Sequence, residues 1–295
     1  MRLFTCVHGA LEQAALLNKA GRAVLASDIW HKPLSMLELI RLCASGGALP
    51  AEEDLARFPS HEMSGLRLRA PIPHPIRNLF CLGKNYADHV REMGTTIFAG
   101  APAGAEVPAH PVFFSKSAFS VIGPDDEIPC HAHFTSQIDY EAELAVIIGQ
   151  TASRVPERDA GQYIFGYTCA NDISARDIQD RHGQWFLGKS LDGFAPMGPF
   201  LVTADELGCP PVCDVSARVG GEVRQHAHSG DMLFSVPAVI SLLSQAITLH
   251  PGDIILTGTP AGVGHGMKPP RYLRTGDVVE VDISGIGVLR NTMGA

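Results

Sequence analysis

The chain has 295 residues, 45% of them apolar and 18% charged, with 30 glycines and 21 prolines, the make-up of a loop-rich globular protein with ample core. A net charge of −8 at pH 7 argues against a nucleic-acid partner, which calls for a basic face, and no run approaches the ~20 apolar residues of a membrane span. Seven cysteines without regular spacing, and an N-terminus with no basic-then-apolar leader, lead us to expect a reducing cytoplasm.

Residues 1–70 read as a small N-terminal α+β domain. Ala15–Leu17 and Ala23–Leu25 flank a glycine-containing turn, a hairpin pattern. Ser35 and Glu38 form a capping box ahead of Leu39, Ile40 and Leu42, with Gly46 closing that helix. Pro71, Pro73 and Pro75 then punctuate the chain, so the boundary is placed there, with residues 71–295 forming the second, larger domain.

Leu79–Gly83 is a short apolar strand delivering Lys84–Gly94, a helix-like segment on which His89 and Glu92, three apart, share a face. The Gly/Ala/Pro-rich stretch of residues 94–110 lacks periodicity and reads as a lid over substrate. Pro111–Gly123 resumes strand character, with Lys116 in its middle. Two H-x-H pairs, His131/His133 and His226/His228, lack a third ligand and are weak metal candidates. Cys209 and Cys213 have no matching second pair, so no zinc site is expected.

The stretch Asp139–Gly149 is the most informative. Its second half is a continuous apolar run, the pattern of a strand buried on both faces. Glu141 and Glu143 stand two apart at its mouth and so point to one side. Two bare carboxylates side by side raise each other's pKa, a conflict that a hard divalent cation with oxygen ligands removes. A second buried-strand pattern, Gln162–Ala170, ends in Asn171-Asp172, which makes Asp172 the natural third oxygen ligand, with Arg176 and Gln179 on the following turns.

Gly183–Ser190 matches the phosphate-binding pattern G-x-x-x-x-G-K-[ST]. Polar residues precede it where a buried strand is required, Trp185 and Phe186 replace small loop residues, and a glycine and a proline follow where a helix should begin, so the nucleotide reading is rejected. Val236–Ile247 is a clear amphipathic helix capped by Ser235 with Pro237 in its first turn. Ile254–Leu256 leads into Thr257–Gly264, whose backbone amides suit a carboxylate. Val279, Val281 and Ile283 alternate with acidic residues in a last half-buried strand.

The ordered motifs GKNYADHVREMG, DYEAELAVIIG, GYTCANDISARDIQ, GKSLDGFAPMGP, FSVPAVISLLSQAITLHPGDIILTGTPAGVG and GDVVEVDISGIGVLRN together closely resemble the fumarylacetoacetate hydrolase family over residues 75–293. The resemblance implies a β-rich α+β fold, a mixed β-roll or compressed barrel around a metal, in a homodimer. It implies Mg²⁺ or Mn²⁺, with Ca²⁺ a further candidate, on Glu141, Glu143 and Asp172. His89 and Glu92 would be the water-activating pair and Lys189 the stabiliser of a developing oxyanion or enolate. Arg176, Gln179, Gly258 and Thr259 would hold a small-molecule oxo acid. The expected reaction is hydrolytic cleavage of a C–C bond in a 2,4-dioxo acid, with decarboxylase, hydratase and isomerase or tautomerase chemistry at the same metal as the alternative, since fold does not fix reaction.

Overall fold

The computed structural model describes residues 1–94 and 107–295. The expected lid falls largely on residues 95–106, outside the described residues.

The framework is one large mixed sheet and one smaller sheet packed against it. Its principal strands are β1 (Arg2–His8), β2 (Leu11–Leu17), β3 (Ala23–Leu25), β4 (Leu79–Gly83), β5 (Val112–Lys116), β6 (Ala142–Ile148), β7 (Ile164–Asn171), β8 (Ala195–Thr203), β9 (Asp214–Val219), β10 (Glu222–His228), β11 (Ile254–Leu256), β12 (Val278–Ile283) and β13 (Gly287–Met293). The large sheet runs β3-β2-β1-β8-β7-β6-β11-β4-β5, with Arg67–Arg69 pairing β1 and Val121–Ile122 pairing β8. The smaller one runs β10-β9-β12-β13 and ends on Glu127–Ile128. Most neighbours are antiparallel, but β11 pairs with β4 in parallel.

Strand β6 sits near the middle of the large sheet and is buried along its whole length, as its apolar run requires. Its alternation divides the core in two. Leu144, Val146 and Ile148 join Val215, Ala217, Val279 and Val281 of the smaller sheet. Ala145 and Ile147 face the other way, toward Leu3, Leu16, Leu39 and Ile40. The N-terminal 70 residues therefore cover the second face, and they also extend the sheet itself, because β1 pairs antiparallel with β8 through Arg2↔Val202 and Leu3↔Leu201.

The local signals behave as their chemistry dictates. The β2–β3 hairpin forms with Ala15 opposite Leu25. Helix α1 (Met36–Ala44) carries the complete Ser35–Glu38 capping box, which satisfies two otherwise orphan donors. Ser35 thus fixes where the helix starts, while buried Met36, Leu39 and Ile40 fix which face it turns inward. Val236–Ala246 is helical, capped by Ser235 with proline in its first turn.

The large sheet rolls. On a flat sheet β5 and β7, four strands apart, would be separated by roughly 19 Å, yet the ammonium of Lys116 on β5 lies 2.6 Å from Asp172 at the end of β7. The chain beyond β5 continues the roll by laying Val121–Ile122 beside β8. The expected sheet-rich α+β architecture is present, as an open roll and not a closed barrel.

Candidate active site

Register places the carboxylates. Glu143 stands opposite Ala170 in the β6–β7 pair, and paired residues share a face. Asp172, two beyond Ala170, keeps that face, and its N–H donates to the carbonyl of Glu141 at 2.9 Å. Glu141, Glu143 and Asp172 accordingly converge, each buried, with one ligand oxygen apiece inside a 4.8 Å group. Among the described residues this is the group of acidic, His or Cys side chains placed to hold a metal ion. The two H-x-H pairs are not part of it: His226 and His228 lie on the exposed side of β10, and the His131 ring contacts the carbonyl of Asp192.

Three buried cations surround the triad. Lys189 donates to Glu141 Oε2 and Asp172 Oδ2, both at 2.8 Å. Arg176 lies 2.7 Å from Glu141 Oε1 and 2.9 Å from Asp139 Oδ2. Lys116 donates to Asp172 Oδ1 at 2.6 Å, to the Ile173 carbonyl at 3.0 Å and to the Lys189 carbonyl. Burial alone would push the Glu141 carboxyl up, but Lys189 and Arg176 hold it down at about 2. Glu143 goes the other way. Burial, then the charges of Asp172 and Glu141, push its carboxyl well above the ordinary range. Its Oε2 accepts from Gly258 N–H at 2.6 Å, while its Oε1 is buried without a hydrogen-bond partner.

That orphan oxygen, facing two other carboxylates, fits the triad to a hard divalent cation, which would neutralise Glu143 and take the unpaired lone pairs. Counting Asp139, the fully ionised cluster has four carboxylates against three cations. A dication would turn that balance into one net positive charge, matched to an anionic ligand. Arg176 Nη2, buried and without a protein acceptor, supplies a donor for such an anion.

The second group sits on helix α2 (Ala87–Met93), placed by Asn85. The Asn85 side chain donates to the carbonyls of Thr257 (2.7 Å) and Phe234 (3.1 Å) and accepts from Phe234 N–H at 2.8 Å. His89 is buried, with Nδ1 3.5 Å from Glu92 Oε2. Both Glu92 oxygens accept from Gly262 N–H, at 3.0 and 2.9 Å. Gly262 has φ +107°, and a Cβ there would lie 1.8 Å from the Arg224 carbonyl oxygen, so glycine is what lets this amide face Glu92.

The remaining expected positions are brought to the same region. Gln179 Oε1 accepts from Arg176 Nη1 at 3.2 Å on helix α3 (Arg176–His182). The Thr259 hydroxyl is engaged inside the protein, donating to the Ala142 carbonyl at 3.0 Å and accepting from Gln225 Nε2 at 2.7 Å. Gly258 offers its amide to Glu143. Lys189 ends helix α4 (Phe186–Lys189), only four residues long, with its ammonium among the carboxylates, which agrees with rejecting the phosphate-loop reading.

Three contributors were not singled out from the sequence. Lys116, which the strand-like stretch Pro111–Gly123 puts at mid-strand, closes β5 and is fully buried. Asp139 accepts from Tyr140, Gly264 and His265 N–H as well as Arg176, tying the glycine-rich loop to Arg176; its signal is the two-residue spacing D-Y-E-A-E. Gln225 accepts from Ala142 N–H at 2.9 Å and donates to Thr259 and the Pro260 carbonyl. Its signal was hidden beside the more conspicuous His226.

The chain is similar to known proteins over most of its length. Residues 78–294 match the model of the fumarylacetoacetate (FAA) hydrolase C-terminal domain. An oxaloacetate tautomerase of Bacillus subtilis, YisK, is 48% identical over 242 residues, covering 82% of this chain and 77% of that protein. Among solved structures, a fumarylacetoacetate hydrolase from psychrophilic Exiguobacterium antarcticum is 42% identical with a TM-score of 0.86, covering 100% of this chain and 99% of that one. A maleylpyruvate hydrolase from Sphingobium sp. SYK-6 is 26% identical with a TM-score of 0.77, over 100% and 99% of the two chains.

Proposed function

The chain belongs to the fumarylacetoacetate hydrolase family, and on that premise we propose that it is a divalent-cation-dependent enzyme of enol chemistry on small 2-oxo acids, interconverting the keto and enol forms of an oxaloacetate-like dicarboxylate. The observation that carries this reading is the buried triad of Glu141, Glu143 and Asp172 with Lys189 bridging two of its members. The 48% identical oxaloacetate tautomerase supports the substrate class.

A cation on the triad would act as Lewis acid toward the 2-oxo group and its neighbouring carboxylate. Arg176, through its unpartnered Nη2, binds a substrate carboxylate. His89 takes a proton from the carbon next to the oxo group. The C–H electron pair becomes the C=C bond of the enol, and His89 passes the same proton on to the oxo oxygen, which returns the imidazole to its neutral form; the return reaction reverses each transfer. Glu92, held by Gly262, compensates the imidazolium that forms. Lys189 stabilises the negative charge that grows on the oxygen.

A second reading is favoured by the 42% identical fumarylacetoacetate hydrolase, which matches the chain end to end. Here His89 deprotonates a water that adds to the distal carbonyl of a 2,4-dioxo acid, the C–C bond breaks, and Lys189 steadies the departing enolate. One assay series separates the readings. Oxaloacetate is followed by enol absorbance, and acylpyruvates by product identification, each with Mg²⁺ or Mn²⁺ and after chelation. Cation-dependent acceleration of oxaloacetate tautomerisation without acylpyruvate cleavage supports the first. Efficient cleavage supports the second. Inertness toward every 2-oxo and 2,4-dioxo acid overturns both.

A further inference from the structure

Each carboxylate of the triad has one oxygen held by a donor other than Lys189, whose ammonium spans the remaining oxygens of Glu141 and Asp172. Asp172 Oδ1 accepts from Lys116 at 2.6 Å. Glu141 Oε1 lies 2.7 Å from Arg176 Nη1. Glu143 Oε2 accepts from Gly258 N–H at 2.6 Å. The other three oxygens are Asp172 Oδ2 and Glu141 Oε2, which share Lys189, and Glu143 Oε1, which has no hydrogen-bond partner. Of the three committing donors, Lys116 is the one that no motif explains. It is fully buried, and its three N–H groups are spent on Asp172, the Ile173 carbonyl and the Lys189 carbonyl, which is all an ammonium can donate.

We infer that Lys116 is a positioning residue that locks Asp172 into single-oxygen ligation, completing a set of three such locks around the cation site. The inference rests on the metal reading above and adds a consequence to it. A divalent Mg²⁺ or Mn²⁺ prefers about six oxygen ligands in octahedral array. Three single-oxygen carboxylates leave about three positions to solvent, enough for a substrate that binds through a carboxylate and an adjacent oxo oxygen. A carboxylate free to turn both oxygens inward would take one of those positions. Lys116 also grips the backbone on both sides of the reacting group, since its other acceptors belong to the turn after Asp172 and to the residue that supplies the Lys189 ammonium.

The test loads the full-length protein with Mn²⁺ alone and counts coordinated waters by solvent relaxation or by electron–nuclear double resonance in ¹⁷O-enriched water. Wild type is expected to hold about three. Lys116→Met, which removes the lock at similar volume, is expected to hold one fewer and to bind oxalate, a two-oxygen anion probe, roughly tenfold more weakly, the scale of loss when the hydrogen-bond partner of a metal ligand is removed. Lys116→Gln, which keeps a donor without charge, is expected to retain the wild-type water count, which separates orientation from electrostatics. An unchanged count in Lys116→Met, or in Lys116→Leu should the methionine variant not fold, overturns the inference, as does a count of two or fewer in wild type. Wild type that binds no Mn²⁺ refutes the metal reading itself. Normal Mn²⁺ binding with unaltered counts in all variants refutes only the role of Lys116.

Discussion

Glu143 on β6, with Glu141 just before that strand and Asp172 just after its neighbour β7, stands on a sheet buried on both faces, whereas His89 and Glu92 ride on a seven-residue helix bordered by a glycine-rich loop. In the first region, Lys116, Lys189 and Arg176 each bind carboxylate oxygens at 2.6–2.9 Å. In the second, the two functional groups stand 3.5 Å apart, and His89 Nδ1 has no hydrogen-bond partner. The difference matches two tasks. A cation site must keep like charges together before the cation arrives, which demands rigid ligands whose charge is largely, though for Glu143 not wholly, compensated. A proton-transfer pair must change charge during the reaction, and a looser pair that tightens on substrate is common before binding.

If the division holds, damage to each region has its own signature. The largest effect is expected from the first. Exhaustive chelation, or Asp172→Asn, should abolish turnover, with Mg²⁺ or Mn²⁺ restoring it in the chelated wild type only. Residual full-rate turnover after chelation breaks the comparison at its root. The same region should register in stability. Saturation at about 100 times Kd contributes about 2.7 kcal/mol, read as a rise in Tm. The rise should grow with pH. Glu143 has a raised pKa in the ion-free fold, so the folded protein holds a proton that the unfolded chain has lost, and ion-free stability falls as pH climbs from the ordinary carboxylate value through the raised one. The cation takes the place of that proton. A Tm gain that shrinks between pH 5 and 8 contradicts this assignment.

Next comes the proton-transfer pair. His89→Ala should lower kcat by about 10²–10⁴-fold while leaving Mn²⁺ affinity within about twofold, because His89 is not among the triad ligands. Glu92→Gln should slow the reaction less. The double variant should be little slower than His89→Ala, as expected of groups acting as a unit. Additive defects, or a parallel loss of Mn²⁺ affinity, would mean that the two regions are one.

The contrast also accounts for what could be read from the chain. Local signals with local causes were legible: the Ser35–Glu38 box, Pro237 at a helix start, and the two-face burial of Ala142–Ile148. So was the triad, because E-x-E parity and an acidic strand end need only the pleat to be interpreted. Lys116 was not, since a lysine in the middle of a strand-like stretch carries no sign of what it faces, and its burial arises from a roll that brings together residues 56 apart. The pairing of β1 with β8 spans some 200 residues and leaves no trace in either segment. Asp139 was legible in principle, being on the same parity as Glu141 and Glu143.

The smallest effect, and the sharpest discriminator, is expected from Gly266→Ala. A Cβ at Gly266 would lie 2.2 Å from Glu92 Cγ and 2.4 Å from Cδ, which is too close for either to stay in place. The obstructing atoms belong to a flexible side chain, so Glu92 can yield while the loop backbone keeps its course. Displaced, its carboxylate leaves the Gly262 amide and loses its place beside His89. The imidazole stays, the triad stays, and only the compensating charge is misplaced. A rate loss of about tenfold, equivalent to about 1.4 kcal/mol, is therefore expected, with Mn²⁺ affinity and water count unchanged. Combined with Glu92→Gln, the alanine should cost nothing further, because the side chain it disturbs no longer carries the charge that matters. Wild-type kcat in Gly266→Ala would mean that the seat of Glu92 on the loop has no part in catalysis. A loss that persists on the Glu92→Gln background would mean that the loop acts on the reaction through some route other than Glu92.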